Sequence, residues 1–161
     1  MTIRPIRELG DPVLRTPSDE VTTFDGWLAA LVRDLEETVD NPGRAGVAAP
    51  QIGVSARVFS YNIDGVIGHM VNPVIVELSE EIQDGDEGCL SVPGIWAPTV
   101  RANHAVLEGF DVNGDPLRLE GEGLMARCLQ HEVDHLDGKV FLDRLTGEAR
   151  KAALRALRDR G

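Results

Sequence analysis

His131, Glu132 and His135 stand in the pattern H-E-x-x-H within Gln130-His131-Glu132-Val133-Asp134-His135. On an α-helix, residues four apart lie one turn above each other on one face, so both imidazoles can face a single metal ion. Glu132 follows His131 directly and can sit beside that ion without binding it. That is the place of a general base acting on an activated water. The pattern alone is short enough to arise by chance on a helix with two surface histidines. A third ligand has to be found elsewhere in the chain.

In the zinc peptidases that extend this motif, the third ligand comes six residues after the second histidine. That position is Phe141, which cannot ligate. A peptidase with a distant glutamate ligand needs a second long helix carrying a well-placed acid, and none follows in the short remaining chain. The soft candidate is Cys89, in Glu87-Gly88-Cys89-Leu90-Ser91, because Cys128 shares the stripe of the histidine helix and should pack there. A lone cysteine is more often a small buried hydrophobe. A Cys-His-His set nevertheless suits a divalent first-row metal with one position open.

These residues need a frame. Leu124, Cys128, His131 and His135 share one face of a helix expected over 122–137, which makes the site semi-buried. Gly138 is its expected left-handed cap. Asp25 is a candidate N-cap for an amphipathic helix over 25–40, outside the metal-bearing one, with Leu28, Leu31, Leu35 and Val39 facing the core and Asn41-Pro42-Gly43 stopping it. Strands are expected at 57–62 and 70–78, with a turn at Asp64-Gly65. Asn72-Pro73 marks an edge position or a bulge. Strands at 103–111 and 116–120 are joined by Asn113-Gly114. The acidic stretch around Gly85 reads as a solvated loop, residues 1–24 as an irregular arm with one helical turn near Pro12–Leu14, and 146–160 as a last helix. The small-residue run Gly43 to Gly53 lacks a phosphate-loop pattern; it permits close backbone approach or simply connects a helix to a strand. His69 and His104 read as structural or surface residues. The expected fold class is α+β: antiparallel and mixed sheets packed around the central H-E-x-x-H helix, with an N-terminal and a C-terminal helix, in one domain over 1–161.

The chain has 161 residues, 42% hydrophobic and 27% charged, as in an ordinary soluble protein. A net charge of −11 argues against nucleic acid binding over the general surface. The final stretch differs: Arg144, Arg150, Lys151, Arg155, Arg158 and Arg160 face only Glu148 and Asp159. This basic tail is a docking element or a helix end favouring cations. There is no apolar run of membrane-spanning length and no visible signal sequence. Only Cys89 and Cys128 are thiols, so a reduced, cytoplasmic protein is expected.

Three stretches together resemble one family, the peptide deformylases: Gly46-Val47-Ala48-Ala49-Pro50-Gln51, then Glu87-Gly88-Cys89-Leu90-Ser91, then Gln130-His131-Glu132-Val133-Asp134-His135. Val71-Asn72-Pro73 precedes the second, and the resemblance spans nearly the whole chain. It implies hydrolysis of the N-formyl group from the initiator methionine of nascent polypeptides. It implies that Cys89, His131 and His135 hold one divalent ion, usually Fe2+, with Zn2+, Ni2+ or Co2+ as substitutes. It assigns Glu132 as the base, and the Gln51 amide and Leu90 N–H as oxyanion donors. Ala45, Gly46 and Gly88 would let an extended peptide pair through its main chain, with Leu124 and Cys128 as candidates for the methionine pocket. For some relatives it suggests ribosome docking through the basic C-terminal helix. Arg44, Trp96 and Arg127 depart from the family's usual residues and bear on pocket shape. Glu87 and Arg101 are a candidate ion pair bracing the Cys89 loop, against a solvated Glu87.

Two rival functions stand beside this one. A metallopeptidase could use the same helix. A non-catalytic metal-binding or ribosome-docking protein has no use for Glu132 beside an open metal position.

Overall fold

The α-helix that carries the two histidines, Gly123–Leu136 (α2 below), is buried at every residue from Ala126 to Leu136. The computed structural model describes residues 3–160. In chain order its regular elements are α1 (Gly26–Val39), β1 (Gly46–Ala48), β2 (Val58–Ile63), β3 (Val66–Leu78), β4 (Ile82–Cys89), β5 (Val92–Ala102), β6 (His104–Phe110), β7 (Pro116–Glu122), α2 (Gly123–Leu136) and α3 (Gly147–Arg160). Short 3-10 turns occupy Pro12–Arg15, Ala49–Ile52 and Phe141–Arg144.

The strands form a five-stranded sheet in the order β1-β2-β3-β6-β7 and a separate β4-β5 hairpin. Every ladder between named strands is antiparallel; the parallel element is an isolated bridge from Asp19 to Ala56. α2 packs against β1, β2, β6 and β7 of the large sheet and against β5 of the hairpin. It is therefore the central helix of an α+β fold, as its stripe implied.

Sequence chemistry accounts for the ends of the helices. The Asp25 side chain accepts the Leu28 N–H at 3.2 Å and caps α1. Past α2, Gly138 takes φ 79°. Its N–H donates to the His135 carbonyl, and the Lys139 N–H to that of Asp134, at 3.1 and 2.9 Å. This pairing is the Schellman motif that a left-handed glycine allows. α1 buries Leu28, Leu31, Leu35 and Val39 against β1 and β2. On the other side of the large sheet, Leu129, Val133 and Leu136 of α2 pack with Phe59, Met70 and Leu107.

One expectation needs correction. The acidic stretch is no solvated loop: Ile82–Cys89 is a strand, fully paired with β5. Asp84 and Asp86 alternate outward, while Glu87 turns into the protein and is 4% exposed. Its Asp and Gly content hides the strand, because the β-forming residues Val92, Ile95, Trp96, Thr99 and Val100 sit on its partner. β5 itself was not expected, since Pro93, Gly94 and Pro98 interrupt its pattern. Asn72 lies at a bulge, with φ 52° and a register shift between Val71 and Val74. The β3 strand that carries it is nevertheless interior. The Asn72 amide holds the N-terminal arm by accepting the Val21 N–H at 2.9 Å and donating to the Val21 carbonyl at 2.8 Å.

That arm also stitches the loops of the site. Arg7 N–H donates to the Gln51 carbonyl at 2.7 Å, and Leu9 N–H to the Ser91 carbonyl at 2.8 Å.

Candidate metal centre

The one-turn spacing on α2 brings His131 and His135 together as expected, with their Nε2 atoms 3.2 Å apart. The β4–β5 turn delivers the third group: Cys89 Sγ lies 3.3 Å from His135 Nε2. The candidate ligand atoms of Cys89, His131 and His135 all lie within 4.8 Å of one another. Phe141, the residue that cannot ligate, instead stacks on the His131 ring, with centroids 6.4 Å apart and planes at 20°.

The outer ring nitrogen of His131 is fixed. Glu87 Oε2 lies 2.6 Å from His131 Nδ1, so Nδ1–H donates outward and Nε2 is turned toward Cys89 and His135. Glu87 is in turn gripped by Arg101, through Nε at 3.1 Å and Nη2 at 2.6 Å, and by Arg127 Nη1 at 2.7 Å. The candidate Glu87–Arg101 pair is thus real and buried. Burial pushes the Glu87 carboxyl pKa up, but the hydrogen bonds from His131 and Arg101 outweigh it and hold it far below the usual range. Arg127, marked as a departure affecting the pocket, spends its charge on Glu87 and on the Thr99 carbonyl at 2.9 Å.

Sequence reasoning missed Asp134. Its carboxylate accepts from Arg101 Nη1 at 2.7 Å and from Arg144 Nε and Nη2 at 3.1 and 2.7 Å. Arg144, read with the basic tail, is therefore committed to α2. No sequence signal paired them, because Asp134 occupies one of the two unspecified positions of H-E-x-x-H.

Ionisation follows the donors. Burial raises the Cys89 thiol pKa, but the imidazoles of His135 and His131 more than offset it and hold the thiol well below its ordinary value. Cys128 goes the other way, raised by burial and by the nearby carboxylates of Glu132 and Glu87. Glu132 is 2% exposed, and its Oε1 has no hydrogen-bond partner among the described residues. Burial raises its pKa. A buried carboxylate oxygen without a partner costs stability and calls for a reacting group to meet it. A thiolate, an oriented imidazole and a second imidazole converging beside it fit a divalent first-row ion.

Gly46 has a local reason to be glycine. A Cβ there would lie 2.6 Å from Glu132 Oε2 and 3.0 Å from Cys128 Sγ, so β1 passes directly over the base. Gln51 Oε1 accepts the Ala48 N–H at 2.9 Å. That leaves Gln51 Nε2 pointing toward the centre, 3.2 Å from Ser91 Oγ and 3.8 Å from Cys89 Sγ. Ala45, Gly46, Gly88, Leu90, Leu124 and Cys128 all line one cleft of about 850 Å³ that opens onto His131 and Glu132. Leu124 is 56% exposed there and Cys128 is buried. His69 and His104 stand apart from the centre: His69 meets Glu36 at 3.3 Å and accepts the Val112 N–H at 3.0 Å, and His104 meets Glu120 at 2.9 Å.

A family model for polypeptide deformylase matches residues 3–151. The chain belongs to the polypeptide deformylase family. Among curated relatives, the peptide deformylase of Acidothermus cellulolyticus is 59% identical over 159 residues, covering 99% of this chain and 88% of its own length. The peptide deformylase of Parafrankia is 51% identical over 160 residues, covering 99% of this chain and 87% of its own. The crystal structure of a peptide deformylase from Legionella pneumophila matches with a TM-score of 0.89 at 42% identity, over 98% of this chain and 95% of that one. That of the deformylase from Thermus thermophilus matches at 0.90 and 42%, over 98% and 94%. Like other deformylases, this one is a hydrolase that removes the N-formyl group from nascent peptides. Deformylase chemistry implies a catalytic metal ion, and Cys89, His131 and His135 are the candidate site for it. No helix among the described residues is long and apolar enough to cross a membrane.

Proposed function

We propose that Cys89, His131 and His135 hold one Fe2+ ion, and that Glu132 is the base of the deformylation reaction. The observation that carries this reading is the convergence of the three ligand atoms beside the unpartnered Glu132 carboxylate. An ion held there would acidify water and polarise the formyl carbonyl. Glu132 takes a proton from the attacking water. As the C–N bond breaks, it returns that proton to the leaving amine, giving formate and a free N-terminus. The carbonyl oxygen gains charge as water adds. Gln51 Nε2 and the Leu90 N–H donate to it. The close approach of Gln51 Nε2 to the thiolate supports that role.

The peptide lies extended between β1 and the Cys89 loop, its main chain paired along Ala45, Gly46 and Gly88. Such pairing ignores most side chains, as an enzyme of many nascent chains requires. Leu124 and Cys128 wall the methionine pocket. We further propose a single catalytic domain over 1–161, a cytoplasmic location, and ribosome docking through the basic C-terminal helix α3. Removing residues 146–161 is then expected to weaken ribosome binding at low salt.

The test of the whole reading is formate release from formyl-methionyl peptides by anaerobically prepared protein of measured metal content. Activity proportional to bound iron supports it. Internal peptide cleavage without formate overturns it.

A further inference from the structure

Trp96 stands at the mouth of the cleft with 69% of its surface exposed. It pairs across the hairpin with Gly88. A Cβ on Gly88 would lie 2.7, 2.8 and 2.8 Å from the indole Cε3, Cδ2 and Cζ3 atoms. The near-equal distances mean that the ring turns one face onto the Gly88 backbone and leaves the other open. Gly88 is thus small because the indole rests on it. Asp86 stands two residues before Gly88 on the same strand, so it shares this solvent face.

The cleft also carries open carboxylates. Asp86, Asp40 and Asp64 line the cleft and are exposed. None of the three has an ion-pair partner among the described residues. Of the two arginines that line the cleft, Arg127 is paired with Glu87, whereas Arg44 donates to the Thr38 carbonyl at 2.7 Å. An open aromatic face beside unneutralised carboxylates recognises a cation.

We propose that Trp96 and Asp86 select nascent peptides bearing lysine or arginine in the first two positions after the methionine. The inference rests on the substrate path proposed above, which brings the chain past Gly88. The cationic head lies on the open indole face with Asp86 beside it.

The test compares kcat/KM for formate release from formyl-Met-Lys-Ala and formyl-Met-Ala-Lys with that from their glutamate counterparts. The basic peptides are expected to be better by roughly threefold to tenfold, mostly through KM. Trp96→Ala and Asp86→Asn each reduce that ratio, and Trp96→Phe restores most of what Trp96→Ala loses. Added salt weakens the Asp86 share and spares the Trp96 share. Equal rates from basic and acidic peptides overturn the inference while leaving deformylation intact. So does a preference that survives in the W96A/D86N double variant, since the net charge of −11 then suffices to explain it. Formate from none of the peptides overturns the catalytic reading beneath it and this inference together.

Discussion

Glu87 Oε2 sits 2.6 Å from His131 Nδ1, and this contact joins the metal-facing imidazole to a buried set of charges. Arg101 bridges Glu87 to Asp134, and Arg144 closes the set from the Phe141–Arg144 turn. The candidate ligand helix is thereby clamped to the β4–β5 hairpin that carries Cys89.

Glu87→Ala removes the acceptor for His131 and leaves Arg127 buried without a carboxylate, while Arg101 keeps Asp134. Metal affinity is expected to fall by about 10- to 100-fold, as for other groups that orient a metal-bound imidazole. Stability should drop by roughly 3 kcal/mol, the scale of an orphaned buried charge. Metal titration and denaturant unfolding of the same variant measure both effects.

Gly46→Ala separates catalysis from folding. The added methyl group collides with Glu132 Oε2, the free end of a side chain, so the carboxylate must move. Formate release is expected to fall by about 10- to 100-fold with little loss of bound metal. A variant that keeps full turnover would show that the position of Glu132 is not critical.

Acid should loosen the clamp. Glu87 and Asp134 have pKa values lowered in the folded state, in each case by hydrogen bonds and charges that outweigh burial. A depressed folded pKa gives stability that is complete above the unfolded value of about 4 and is lost as pH falls toward the folded value. Metal-free protein is therefore expected to lose stability steadily below about pH 4. Glu87→Gln should be less stable at neutral pH and show a shallower acid slope, read from unfolding midpoints across pH.

The two thiols should respond oppositely to alkylation. In chelated protein at neutral pH, Cys89 is expected to react first, because its pKa is lowered, while Cys128 is buried with a raised pKa. Reloading the metal should protect Cys89. Mass mapping of the modified residue checks the order, and protection of Cys128 alone would contradict the ligand assignment.

Legibility in the sequence followed the range of the interaction. The pairing of His131 with His135 is local to one helical turn, so spacing revealed it. The Asp25 cap, the Gly138 cap and the Asn72 bulge are equally local. Cys89 comes from a distant turn; its softness made it a candidate, and its resemblance to a known motif attached it to the histidines. β4 was hidden because its own residues disfavour a strand and its stability comes from β5. Arg144 and Arg127 carried charge that composition assigned to the surface or the pocket. Their partners, Asp134 and Glu87, are long-range contacts that no periodicity encodes. Gly46 was read as room for another backbone, and the neighbour it avoids is the Glu132 carboxylate.

The central claim is that Glu132 moves the proton while the two histidines and Cys89 hold the ion. Glu132→Gln, prepared anaerobically, tests it most directly when metal content and formate release are measured on one sample. Near-stoichiometric metal is expected, with formate release reduced by about 10²- to 10⁴-fold. Turnover close to that of the unaltered enzyme, at equal metal content, would contradict it.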